Sequence, residues 1–241
     1  MFIYFTPSRV CCLFACSLAL VGTAAATRSA HRPSADDYVE HFPSDAPGRG
    51  LINAEKVGWA VYVGDAAYER TSGDTQGKPA AAVISFQPGM DGEKGFAAKT
   101  TTGEISKSLW FTVEFGRLKP SDLASIAFAS NNTSTTDAFR VAVRIDGQWY
   151  ASVREFSNSL VGDATNFEQN GEVKTFEFTD AADAWCKVIL TPGTPAGGGT
   201  LRLDDAPLSA TPPEADIEAA GLYSDGNSAT LRFDDFTLTT R

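Results

Sequence analysis

Two imidazoles are available to this chain, His31 and His41. A Ser-His-Asp or Cys-His centre needs an imidazole base beside its nucleophile. His31 stands in a polar stretch without periodicity, and His41 reads as an ordinary residue of a short strand with no matching motif around it. Zinc sites built from His and Cys fail for want of ligands. No Gly-rich loop opens a helix that could cradle phosphate. Carboxylates are plentiful, with 30 Asp and Glu. A glycosidase needs two of them facing each other at roughly 5 to 9 Å, but no Glu-x-Asp-x-x-Glu pattern singles out a pair.

Aromatic and charged residues at strand spacing carry more information. Phe139, Val141, Val143 and Ile145 alternate with Arg140, Ala142 and Arg144, and Asp146-Gly147 follows. Asp-Gly tolerates positive φ at both centres of a type I′ turn, so the chain must return as a hairpin. A two-residue turn pairs Ile145 with Gln148 and Arg144 with Trp149. With the apolar set inward, Trp149 lies beside Arg144 on the outward face. On another strand, Leu109, Phe111, Val113 and Phe115 alternate with Trp110, Thr112 and Glu114. The first set reads as inward, which turns Trp110 and Glu114 outward. The candidate binding residues are therefore Trp149, Arg144, Trp110, Arg140 and Glu114. A pyranose ring offers apolar C–H faces that stack on aromatic rings and hydroxyls that need polar partners, and an outward Trp among charges suits it. The same pattern also suits a cation–π pair, or a Trp covered by a loop.

The elements that must position these residues have period two. Tyr38 to Phe42 is a short strand. Val57, Trp59, Val61 and Val63 alternate with Gly58, Ala60 and Tyr62, and Ala82, Ile84 and Phe86 form another strand. Ile126 and Phe128 mark one more before the polar loop Ser130 to Ser134. Further strands are expected at Val173 to Phe178, Trp185 to Leu190, Thr200 to Leu203, Gly221 to Ser224 and Thr230 to Leu238. Pro213 to Glu218 could form one helical turn. Many short strands separated by Gly, Pro, Asp and Ser predict an all-β chain: a two-sheet antiparallel β-sandwich of jelly-roll type. Cys186 alternates with Val188 and Leu190 and is expected to point into the core.

The N-terminus reads as a secretory signal peptide over residues 1–26. Arg9 supplies a charge, Val10 to Val21 form a short apolar run, and Ala24-Ala25-Ala26 ends it. The run is short of the roughly 20 residues of a membrane span. Leu13-Phe14-Ala15-Cys16 approaches a lipobox, but Phe14 is bulky for one, so cleavage near Thr27 is expected and not lipidation of Cys16. Residues 27–36 form a polar lead-in without periodicity. A single domain over residues 37–241 follows, long enough to bury a core without staples. The formal net charge is −10, one unit more acidic once Arg9 is removed, which excludes nucleic acid as a natural partner. Three of the four cysteines lie within the signal peptide, leaving Cys186 with no intrachain partner. The sequence as written ends at Arg241, just past the final strand, with no attached catalytic domain expected.

Asp216 to Tyr223, followed by Leu231-Arg232-Phe233-Asp234-Asp235-Phe236-Thr237-Leu238, resembles the last two strands of jelly-roll carbohydrate-binding modules. Trp185 to Thr191 resembles the strand before them, Val39 to Phe42 an acid-bearing first strand, and Gly58-Trp59 the Gly-Trp after it. The resemblance implies a secreted, non-catalytic module that binds polysaccharide. It also implies a structural calcium shared by Glu40 and Asp235, with Asp234 as a substitute, because calcium takes carboxylate and carbonyl oxygens. In Glu40 the acid stands one residue away from the aromatic that it usually touches in the family. A cell-envelope interaction domain without a sugar ligand is the alternative, and a polysaccharide hydrolase or lyase is a third.

Overall fold

A computed structural model of the chain describes residues 37–42, 57–63, 68–69, 82–85, 89–90, 95–99, 107–112, 118–163, 165–194, 198–225 and 230–241. The signal peptide, the lead-in and Cys16 lie outside the described residues. In chain order the strands begin with β1 (Tyr38–Glu40), β2 (Trp59–Val63), β3 (Tyr68–Glu69), β4 (Ala82–Ser85), β5 (Phe96–Lys99) and β6 (Ser108–Thr112). They continue with β7 (Leu123–Ser130), β8 (Ala138–Ile145), β9 (Gln148–Ser152) and β10 (Phe156–Ser157). A one-turn helix α1 (Phe167–Asn170) precedes β11 (Glu172–Glu177), β12 (Trp185–Thr191), β13 (Thr200–Pro207), β14 (Ile217–Ser224) and β15 (Leu231–Thr240). None of the described helices is long and apolar enough to cross a membrane.

The strands form two sheets, paired antiparallel throughout. The larger runs β13-β12-β9-β8-β14-β6-β2-β3, with β10 added beside β8. The smaller runs β11-β7-β15-β5-β4, with β1 added beside β15. This is an all-β two-sheet sandwich of jelly-roll type, as the strand pattern predicts. The Asp146-Gly147 turn is as expected: φ is 50° at Asp146 and 72° at Gly147, and Ile145 pairs with Gln148 and Arg144 with Trp149. The turn sets this register because its twist matches that of the flanking strands.

The core between the sheets is aromatic. Phe233 of β15 meets rings from the opposite sheet: Trp59 at 5.7 Å, Trp110 at 5.6 Å and Phe139 at 5.6 Å between centroids, most of them edge to face. Each such pair adds about 0.5–1.5 kcal/mol beyond the area it buries. A bulge in β15 between Asp234 and Thr237 makes this possible. Asp235 takes the bulge with φ 49°, a left-handed conformation that Asp tolerates. Phe233 and Phe236 can then both turn inward despite their three-residue spacing.

Some elements differ from expectation. Pro213 to Glu218 forms no helical turn; a bend leads straight into β14. Strands β3 and β5 and helix α1 have no counterpart in the sequence pattern. Phe167 of α1 packs on Phe96, 5.1 Å between centroids, closing the outer side of the smaller sheet there.

Candidate functional site

The outer face of the larger sheet is where sequence and structure part company most usefully. Antiparallel registers place its outward residues in rows across the strands. One row is Ala60, Phe111, Gly221, Ala142, Ala151 and Cys186. Flanking it on one side are Tyr62, Leu109, Tyr223 and Arg140, and on the other Ala219, Arg144, Trp149 and Val188. The middle row is nearly all small residues. Gly221 is required in it, because a Cβ there would lie 1.8 Å from the Trp110 carbonyl oxygen of β6. Over the small residues the large side chains of the flanking rows form a second apolar cluster, with Trp149, Phe111, Leu109 and Tyr223 packed on Ala142 and Ala151.

Trp149 therefore points where the turn directs it, opposite Arg144 and away from the sandwich interior. It is nonetheless only 4% exposed. The expectation of an open platform is corrected: the outer face has a core of its own. Trp110 is corrected more fully. It is 1% exposed and packs between the sheets against Phe233, while Leu109 and Phe111 face outward. The run Leu109-Trp110-Phe111 is apolar at both parities, so alternation identifies the strand without saying which set is inward. Trp110 leaves the set of candidate surface residues.

Two cavities open beside this outer cluster. The first, about 340 Å³, is lined by Tyr62, Phe111, Trp149, Arg144, Gln148 and Pro192 among others. Tyr62 and Phe111 lie parallel at 5.9 Å, and Phe111 meets Trp149 edge to face at 4.9 Å. The second, about 480 Å³, is polar. Lys107, Arg140, Arg202, Asp204 and Asp225 line it, with Tyr223 and Cys186.

Arg144 is held by two contacts. Its guanidinium lies over the Trp149 ring, 5.8 Å from the centroid. Its Nε forms an ion pair with Glu218 Oε2 at 2.8 Å. Both Glu218 oxygens also accept from the Gly147 backbone N–H, at 3.3 Å each. Glu218 reaches them because β14 is bulged between Ile217 and Ala219. The bulge lets Ile217 face inward and Ala219 outward while Glu218 projects toward the hairpin turn. Gln148 Nε2 donates to the Trp149 and Val188 carbonyls at 2.7 and 2.9 Å, tying the turn to β12. Arg140 is held through its Nη groups, which donate to the Ser152 and Val153 carbonyls and pair with Glu155, while its buried Nε has no hydrogen-bond partner among the described residues.

The other expected site residues are dispersed. Glu114 lies outside the described residues. Tyr38 donates to Glu40 Oε2 at 3.1 Å, and burial pushes the Glu40 carboxyl upward, with the Tyr38 hydroxyl and the nearby Trp59 side chain opposing. Asp235 pairs with His41. Asp234 is buried and accepts from the Met90 N–H at 2.8 Å. Each carboxylate thus has a different partner, and among the described residues no three of His, Cys, Asp or Glu gather as a metal-binding group. Cys186 faces the outer cluster and not the main core; its Sγ approaches the Ala151 carbonyl at 3.4 Å. Burial pushes the thiol up, Asp204 and Asp225 add to this, and Arg140 opposes it.

Tyr62, Phe111, Gln148 and Glu218 are the site residues that the sequence pattern did not single out. Tyr62 was findable, because it alternates against Trp59, Val61 and Val63. Glu218 was not, because its position depends on a bulge.

No family model matches the chain, and no curated protein is similar to it. Solved structures are. A family 11 carbohydrate-binding module from Clostridium thermocellum, in complex with a beta-1,3-1,4-mixed-linked tetrasaccharide, is 15% identical with a TM-score of 0.42, over 86% of this chain and 97% of that one. The family 11 module of a cellulosomal cellulase of Clostridium thermocellum is 14% identical with a TM-score of 0.38, over 85% and 95%.

Proposed function

We propose that the chain is a non-catalytic carbohydrate-binding module whose ligand enters the aromatic cavity on the outer face of the larger sheet. One observation carries this reading. A cavity of about 340 Å³ combines three aromatic side chains, Tyr62, Phe111 and Trp149, with the donors and acceptors of Arg144 and Gln148. An apolar wall with a few convergent polar groups is the general form of a small-ligand site. It matches a pyranose ring, which has apolar faces and a rim of hydroxyls. The test is calorimetric titration of the purified protein with a panel of oligosaccharides, beside the Tyr62→Ala variant. Binding by the parent and its loss in the variant support the reading. Release of reducing ends from any polysaccharide would remove the word non-catalytic.

A second reading, an interaction domain without a sugar ligand, is favoured by the exposed Leu160, Val161 and Val173. They lie close together, since Glu172 accepts from the Leu160 N–H at 3.1 Å. Absence of binding across the whole panel would favour it. The exported form is proposed to begin near Thr27; mass spectrometry of secreted material finding Met1, or a lipid on Cys16, would refute this.

A further inference from the structure

Among the described residues, the contacts around Arg144 leave one part of it unused. Nε faces Glu218, and the plane rests on Trp149. Among the described residues nothing accepts a hydrogen bond from its two Nη groups, and Arg144 lines the aromatic cavity. The guanidinium is thus gripped at its base and open at its fork. A guanidinium fork is planar and matches two neighbouring oxygen atoms at once, whereas an ammonium is a single point charge.

Resting on the carbohydrate-binding reading above, we infer that Arg144 is the specificity-determining residue of the cavity. Its Nη fork reads a pair of adjacent oxygen acceptors on the ligand, and Glu218 acts as the positioning residue that aims it. The oxygen pair comes either from vicinal hydroxyls of a neutral sugar or from the carboxylate of a uronate. Glu218 suits the role because its carboxylate also accepts from Gly147, which anchors it to the turn that sets the register of Trp149. Fixing both side chains before the ligand arrives removes an ordering cost that would otherwise weaken binding.

The test uses the purified protein and two probes, a neutral gluco-oligosaccharide and an oligogalacturonate, titrated calorimetrically at two salt concentrations. Arg144→Lys keeps the charge and loses the fork, so affinity should fall about tenfold to a hundredfold, as for hydrogen bonds made by a charged group. Glu218→Ala should weaken binding less. Glu218→Gln, which still offers an acceptor, should restore most of it. The double variant Arg144→Lys with Glu218→Ala should bind no worse than Arg144→Lys alone, because Glu218 acts only through Arg144. Melting temperature and Trp fluorescence report whether each variant is folded. The preferred probe identifies the oxygen pair, and a steep loss with salt marks the carboxylate. Arg144→Lys binding as tightly as the parent overturns the inference and leaves the carbohydrate reading standing. Additive losses in the double variant overturn the positioning role of Glu218. A parent that binds neither probe nor any other sugar removes the carbohydrate reading, and the inference falls with it.

Discussion

Trp110 and Trp149 belong to the same sheet and are almost equally hidden from water, yet they are buried for different reasons. Trp110 fills the space between two sheets, with Phe233 edge to face against it. Trp149 lies on the opposite side of its sheet, over small residues and against Phe111 and its own hairpin neighbour Arg144. One is enclosed by the fold. The other is enclosed by its neighbours and borders a cavity. Low exposure alone therefore separates core from site poorly here; what lies on the far side of the ring separates them.

Substitution should expose the difference. Trp110→Ala leaves an internal void and should cost about 3–5 kcal/mol in chemical denaturation. Trp149→Ala extends a cavity that already opens outward. Water can enter it, so the cavity term shrinks and about 2–3 kcal/mol is expected, together with loss of glycan binding. Equal costs for the two would break the comparison. Tyr62→Ala, on the same outer face but only half-buried, should cost less than about 1 kcal/mol and weaken binding about tenfold or more. A Tyr62 variant that binds normally would move the ligand out of the aromatic cavity.

Two measurements away from both faces sharpen the contrast by showing what ordinary local stabilisation looks like. Partial burial by itself would raise the Glu172 carboxyl. Hydrogen bonds from Lys174, Ser159 and the Leu160 N–H outweigh it and hold the pKa at about 2. A carboxylate with a depressed pKa stabilises the fold above its unfolded value, and that contribution disappears as pH falls through the folded value. Glu172→Gln should therefore cost about 1 kcal/mol at neutral pH, and the two proteins should converge in stability as pH falls toward 2, without any change in glycan binding. The remaining proposal, calcium held by Glu40 and Asp235 with Asp234 as a substitute, predicts higher melting in millimolar calcium than in excess EDTA. The gain would be about 2.7 kcal/mol at a hundredfold excess over the dissociation constant. Equal melting temperatures remove it.

The fold was legible because it rests on short-range signals. Asp146-Gly147 admits few alternatives, and the alternation of Phe139, Val141, Val143 and Ile145 identifies an inward set that the structure reproduces. The site was legible only by half. Register placed Trp149 opposite Arg144 correctly, because a two-residue turn leaves no freedom. Its burial was hidden, because it depends on Ala142, Ala151 and Gly221 meeting in one row from three strands. Alternation places Trp110 on the wrong face for a related reason: when both parities of a strand are apolar, period two carries no sign. Glu218 needed a bulge, which no local residue preference announced.

The position of β15 sets an order in time. Though it is the last of the described strands in chain order, it lies inside the smaller sheet, between β7 on one side and β5 and β1 on the other. Until Leu231 to Thr240 have been synthesised, the smaller sheet lacks the strand that joins its parts, and Trp59, Trp110 and Phe139 lack the Phe233 ring they pack on. All described strands of the larger sheet are in place by Ser224, but its inner face must wait, wet and adhesive, for β15. Pairings as distant as Tyr38 with Leu238 give the fold a high contact order, which slows closure. A nascent chain of this kind spends its most aggregation-prone interval just before β15 emerges, when the inner face of the larger sheet has no partner yet to cover it.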